Sequence, residues 1–275
     1  MPKNTQISTL VLLCLTACAK TTLEPSISPT KPNIVFILAD DLGYGEVGCF
    51  GQEFIQTPNI DQLAREGMLL TEHYSGSPVC ASSRCTLLTG KHTGQAIVRN
   101  NRELGSWGPD EPEGQFPLPA MTPTVSASLQ LNGYATGAFG KWGLGGPGTC
   151  GLPNDHGFDT FYGYLCQRVA HNYYPTHLWN NKNKELLKGN EVWFSAHQKI
   201  GDDDSFAKFS AQTYAPDRIL EEAVQFIDAQ GVEPFFLYFA STIPHLALQI
   251  PDEELGLYPL SWDEKPYLGD KGYLP

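Results

Sequence analysis

Asn33-Ile34-Val35-Phe36-Ile37-Leu38-Ala39-Asp40-Asp41-Leu42-Gly43-Tyr44-Gly45 decides the fold. Its first seven residues form an apolar run without alternation, as expected of a strand buried on both faces. The run ends on two adjacent carboxylates and enters a Gly-rich loop. A second such run, Pro234-Phe235-Phe236-Leu237-Tyr238-Phe239-Ala240, predicts another buried strand. Between them the pattern alternates. Thr57-Pro58 opens a helix as N-cap and first residue and Gly67 closes it, with Ile60, Leu63 and Ala64 on one face. Met68 to Tyr74 is a candidate second strand. Thr122-Pro123 opens a helix that runs through Val125 and Leu129 and ends at Asn132-Gly133. Tyr134 to Phe139 is the next strand. Asp217 to Ala229 is an amphipathic helix with Ile219, Leu220, Ala223, Phe226 and Ile227 towards the core. This alternation predicts an α/β domain over 33–275: a mainly parallel sheet with helices on both faces. No internal repeat is visible.

In such sheets ligands gather at the carboxyl ends of strands. Asp40 and Asp41 follow the first strand, Lys141 follows the third in Gly140-Lys141-Trp142-Gly143, and His245 follows the last in Ile243-Pro244-His245. Two adjacent carboxylates repel unless a cation neutralises them, and hard oxygen ligands suit calcium or magnesium. A surface Asp pair, a surface Lys and a structural His are the plain alternatives.

Ser77-Pro78-Val79-Cys80-Ala81-Ser82-Ser83-Arg84-Cys85-Thr86-Leu87-Leu88-Thr89-Gly90 reads as a loop turning into a short helix. Cys80 falls at its N-terminus, where unpaired N–H groups favour an anion. Arg84, one turn on, can point back at the same spot. Together they suggest chemistry on an oxyanion ester; the alternative is a buried structural Cys.

The N-terminus predicts export. Lys3 precedes a short apolar stretch, Ile7 to Leu15, too short to cross a bilayer, which needs roughly 20 apolar residues. Leu15-Thr16-Ala17-Cys18 resembles a bacterial lipobox, which implies cleavage after residue 17 and a lipid on Cys18; cleavage after Ala17 or Ala19 as an ordinary signal peptide is the alternative. Residues 18–32, rich in Thr, Pro and Ser, read as a flexible tether. The expected location is the periplasm or outer membrane, with membrane contact only through that lipid. A net charge of −12 without a basic stripe excludes nucleic acid as a partner. Of seven Cys, Cys49, Cys85, Cys150 and Cys166 remain for disulfides in an exported chain, in any of three connectivities.

The Cys80–Gly90 segment resembles the sulfatase signature, a Cys-x-Pro-x-Arg or Cys-x-Ala-x-Arg core with a Leu-Leu-Thr-Gly tail. The Asp-Asp-Leu-Gly-Tyr-Gly loop, Gly-Lys-Trp and Pro-His motifs resemble that family's further site segments, in order, from about Pro32 to at least Pro251. The resemblance implies an alkaline-phosphatase-like fold and an arylsulfatase-type sulfuric ester hydrolase. It implies conversion of Cys80 to formylglycine by a formylglycine-generating enzyme. It implies a calcium ion, in preference to magnesium, held by Asp40, Asp41 and residue 80. Arg84 would hold the aldehyde hydrate, Lys141 would bind sulfate oxygens, and His245 would contact the ester oxygen and protonate the leaving alcohol. The expected substrate is a sulfated small molecule or glycan. Ser82 stands where the family has Pro or Ala, and Gly143 where many members have a His that assists the hydrate, leaving His245, His156 or His171 to compensate. The family's later Asp-Asn or Asp-His metal pair, second Lys and C-terminal domain do not follow, so the expectation is a truncated catalytic domain. Two other functions fit parts of the pattern. One is a phosphoesterase or phosphonate hydrolase of the same superfamily. The other is an inactive, surface-anchored glycan-binding protein, with Tyr162, Tyr164, Tyr173, Tyr174 and Trp179 stacking on sugars. The loop from His156 to Trp179 is expected to shape the pocket.

Overall fold

A computed structural model describes residues 31–104, 113–191, 211–245 and 249–259. The signal segment, Cys18, nearly all of the tether and the last sixteen residues lie outside the described residues. Six strands form one sheet: β1 (Ile34–Leu38), β2 (Ala135–Lys141), β3 (Thr160–Tyr164), β4 (His177–Asn180), β5 (Asn183–Leu186) and β6 (Phe235–Ala240). Their order is β1-β6-β2-β3-β4-β5. β1, β6, β2 and β3 run parallel, whereas β4 and β5 are antiparallel to their neighbours. The expected sheet is therefore present, mixed at one edge.

Side chains alternate across this sheet as the two-residue period of a strand requires. Ala138, Phe161, Phe236 and Tyr238 face one core with Trp142 and Phe158. Phe139, Tyr162, Phe235 and Leu237 face the other. α2 (Cys80–Thr89) packs into the first core through Ala81, Cys85 and Leu88, and α3 (Val125–Leu131) contacts both it and β2. α4 (Ala215–Ala229) covers the opposite face with Ile219, Ala223 and Phe226. Helices thus lie on both faces. A short α5 (Asp252–Leu255) ends the described chain.

Several sequence expectations are corrected. β1 is not buried on both faces: Val35 is 49% and Ile37 66% exposed, because among the described strands β1 is the edge of the sheet and pairs with β6 alone. α1 (Pro58–Glu66) forms at its expected place, yet Ile60 and Leu63 are exposed. It is tied instead to the turn at Gly48–Phe50, where Asp61 accepts from the Cys49 amide at 2.6 Å. Met68 to Tyr74 forms no strand; Met68, Leu70 and Tyr74 are largely exposed and find no neighbour to pair with. The cap of α3 is Thr124, whose hydroxyl accepts from Ala127 N at 3.1 Å, rather than Thr122. Leu220 faces solvent, one step off the buried stripe of α4. The segment 156–179, read as a loop, contains β3 and most of β4. No described helix is long and apolar enough to cross a membrane.

Candidate active site at the carboxyl ends of the parallel strands

Three parallel strands deliver their following residues to one place. Asp40 lies just beyond β1, Lys141 ends β2, and His245 lies five residues past β6. The Asp40 amide donates to Ile243 O at 3.2 Å, tying the β1 exit to the segment that carries His245. Asp41 takes a left-handed conformation, φ 60°, which Asp tolerates better than most side chains. The chain turns sharply there, so the two adjacent carboxylates diverge. Asp40 is 5% exposed, whereas the Asp41 side chain is 62% exposed.

Asp40 is held by two cations. Arg84 Nη2 lies 3.1 Å from one oxygen and Lys141 Nζ 2.6 Å from the other. Burial pushes the Asp40 carboxyl up, but the Arg84 and Lys141 charges outweigh it and leave it below its usual value. Arg84 is completely enclosed, donates its second Nη to Lys141 O, and lies beside the buried Tyr238 ring. Burial opposes its charge, yet its neighbours raise its pKa above the ordinary arginine value. An uncompensated cation so deep would be costly, and Asp40 is what compensates it.

Cys80 opens α2, as expected, after Val79 in extended conformation, and Gly90 closes the helix with a left-handed φ of 67°. Lys141 Nζ lies 3.6 Å from Cys80 Sγ. Burial pushes the thiol up, but a hydrogen bond from His245 and the Lys141 charge hold it below its usual value. His245 Nε2 also lies 3.2 Å from Asp41 Oδ2. Asp40, Asp41, Cys80, Arg84, Lys141 and His245 therefore form one cluster, whose mouth is a cavity of about 210 Å³ lined by Asp40, Asp41, Cys80, Ser83 and Arg84 among others.

One ligand atom each of Asp40, Cys80 and His245 lies within 4.8 Å of the other two. Adjacent carboxylates with an oxygen at position 80 would present the hard donors a divalent cation takes. The residues present fit such an ion.

Neighbouring positions explain two departures from the signature. Ser82 is fully buried and satisfied: its hydroxyl lies 2.6 Å from Ser77 Oγ and donates to Val79 O at 3.0 Å, bracing the loop ahead of Cys80. Gly143 has φ 78°, and a Cβ there would meet the Gln167 amide at 2.4 Å. Gln167 fills the space and donates to Gly143 O at 3.3 Å. Of the candidate histidines, His156 is structural, with Nε2 within hydrogen-bond reach of Cys150 O and Leu118 O. His171 instead stacks on His245. Tyr173, which the sequence marked only as a sugar-stacking aromatic, donates its hydroxyl to Thr242 O at 2.6 Å and to His245 O. Only the sequence separation of some seventy residues hides it, and no local signal would reveal such a contact.

The proposed sugar-stacking aromatics are corrected. Tyr162, Tyr164, Tyr173, Tyr174 and Trp179 are all buried, the least enclosed being 9% exposed, so they are packing residues. Cys49, Cys85, Cys150 and Cys166 form no disulfide; Cys85 and Cys166 are buried and Cys150 exposed.

Comparison with known proteins places this arrangement. Human arylsulfatase D is 43% identical over 161 residues, covering 56% of this chain and 26% of that protein. Rat N-acetylgalactosamine-6-sulfatase is 32% identical over 247 residues, covering 83% of this chain and 42% of that one. The crystal structure of Ps i-CgsB, 31% identical, superposes with a TM-score of 0.63 over 85% of this chain and 49% of its own; it is also known in complex with k-i-k-neocarrahexaose. The chain spans about a quarter of the length of the first curated relatives it matches and about half of this structural neighbour. The mixed sheet with helices on both faces is the alkaline-phosphatase-like fold of these proteins. The sulfatase family model matches residues 32–263, from the strand that carries Asp40 past the segment that carries His245, and the chain belongs to the sulfatase family.

Proposed function

We propose that the protein is a sulfuric ester hydrolase acting on an aryl or carbohydrate sulfate. The observation that carries this reading is the Asp40 carboxylate bridged by Arg84 and Lys141, with the Cys80 sulfur 3.6 Å from the same Lys141 ammonium. A nucleophile position beside a fixed cation suits attack on an anionic ester. Matured to a formylglycine hydrate, position 80 would supply the attacking hydroxyl. Asp40, Asp41 and residue 80 would hold the calcium ion, which supplies charge neutralisation at the site when bound.

The chain's own residues supply the rest. Lys141 neutralises sulfate oxygens as charge develops on them, a preorganised electrostatic contribution. Arg84 keeps Asp40 ionised and the floor of the site fixed. His245, between Asp41 and position 80, delivers a proton to the departing alcohol oxygen. The names of the relatives support a sulfate ester, and the saccharide held by Ps i-CgsB supports a carbohydrate. The Cys80–Arg84 signature argues against a phosphoesterase. We also propose export as a lipoprotein through Cys18, with maturation by a formylglycine-generating enzyme.

Paired aryl sulfate and aryl phosphate substrates, followed by sugar sulfates, test the reading on the full protein with its aldehyde content measured by mass. Sulfate turnover that is abolished by Cys80→Ala and by chelator is expected. A matured, calcium-loaded protein that turns over phosphate esters and not sulfates would overturn the reading.

A further inference from the structure

His171 is the last residue of a single 3-10 turn, Val169–His171, that follows β3. Its ring stacks on that of His245 with centroids 4.6 Å apart and planes within 7°. Two side chains anchor the segment behind it. Gln249 accepts from Tyr173 N at 2.6 Å and donates to Asn172 Oδ1 at 3.1 Å. Tyr173 in turn bonds the carbonyls of Thr242 and His245. One short strap therefore grips the His245 segment twice, by its backbone through Tyr173 and by its ring through His171. An imidazole turns about a broad, two-fold χ2 torsion, so its backbone anchor alone leaves the plane of the ring open. A parallel ring against one face closes that freedom. The face is the one that leaves Nε2 directed at Asp41 and within reach of Cys80.

We propose that His171 is a positioning residue: it fixes the His245 ring plane so that Nε2 stays aimed between Asp41 and residue 80. The role needs the flat ring of His171 and not its nitrogens. It fits the neighbourhood of Gly143, where Gln167 fills the space a side chain would need and no second imidazole comes from the β2 exit. The inference rests on the sulfatase reading for its kinetic consequence, but not for its structural one.

The test uses the full protein with ¹³C-labelled histidine, as wild type, His171→Ala and His171→Phe, with His245→Ala to assign the signal. Imidazole NMR reads the order of His245, and turnover of an alkyl and an aryl sulfate reads its effect. In His171→Ala the His245 signals are expected to shift and broaden. There kcat falls about ten- to a hundredfold, as for a misplaced catalytic group, with KM within about twofold. The alkyl ester suffers more, because its leaving group needs the proton more. His171→Phe restores both readouts. Unchanged His245 signals in His171→Ala would overturn the proposal. So would a His171→Phe protein with ordered His245 and unrestored kcat, because the nitrogens would then be required. If the wild type hydrolyses no sulfate ester, the functional reading fails, and the NMR comparison still decides whether the stack orders His245.

Discussion

β1 and β6 are paired neighbours and both continuously apolar, yet they live in different surroundings. Val35 of β1 pairs with Leu237 of β6. Leu237 is 3% exposed and Val35 49%. β6 lies between β1 and β2 with helices over its faces, whereas Ile37 of β1 borders an open cleft of about 640 Å³ that also includes Phe54, Ile55 and Ile60. A continuous apolar run therefore reports a strand that is able to be buried, and its neighbours decide whether it is. The site nonetheless depends on the exposed strand, because β1 carries Asp40. What fixes that end of β1 is ionic: Asp40 is gripped by Arg84 and Lys141 while Val35 and Ile37, on one face of the strand, stay exposed.

The sharpest way to break this contrast is Asp40→Asn. It leaves Arg84 and Lys141 without their shared anion, so a loss of about 3–5 kcal/mol is expected in urea unfolding, with loss of sulfate turnover. A loss below about 1 kcal/mol would show that the ionic clamp does not hold the β1 end. The contribution also has a pH signature. Because the folded Asp40 carboxyl titrates below its unfolded value of 3.8, its stabilisation is complete above that value and fades as pH falls through the lower folded one. The stability gap between wild type and Asp40→Asn should therefore be constant from neutral pH down to about 5 and narrow below about 4. A gap that widens on acidification would contradict this assignment.

Next in size is the paired test along the strand register. Leu237→Ala is expected to cost about 2–5 kcal/mol and Val35→Ala within about 1 kcal/mol. Equal losses in thermal or urea unfolding would show that β1 is covered in solution. The smallest effect is that of Ser82→Ala, which removes two buried hydrogen bonds ahead of Cys80 at about 1 kcal/mol; an unchanged melting temperature would mean the loop is braced some other way.

Much of this architecture was legible in the chain. β1, β2 and β6, α1 and α4 stand within a few residues of their expected places, because apolar runs and 3.6-residue periods are local signals. Cys80 at a helix start followed from Pro78 and the small residues after it. β3 was missed because Thr160–Tyr164 is five residues long with Gly163 inside it, and its burial comes from β2 alongside. The β4–β5 hairpin had a readable cue in its two-residue Asn181-Lys182 connection, where Asn181 has φ 53°, but its strands carry little apolar pattern. Asp40, Asp41, Lys141 and His245 could be named from the strand ends on which they fall, and Cys80 and Arg84 from the helix start. Their partners could not: Asp40 to Lys141 spans 101 positions and Arg84 to Lys141 57, and no local rule encodes such a contact.

The strand order carries a consequence for the order of assembly. Among the described residues β6 lies between β1 and β2, so the first described strand has no described sheet partner until the last one has been made, about two hundred residues later. Such non-local pairing folds slowly. Asp40 and His245 stand beyond the ends of these two strands, so the site is complete only once β6 has paired with β1.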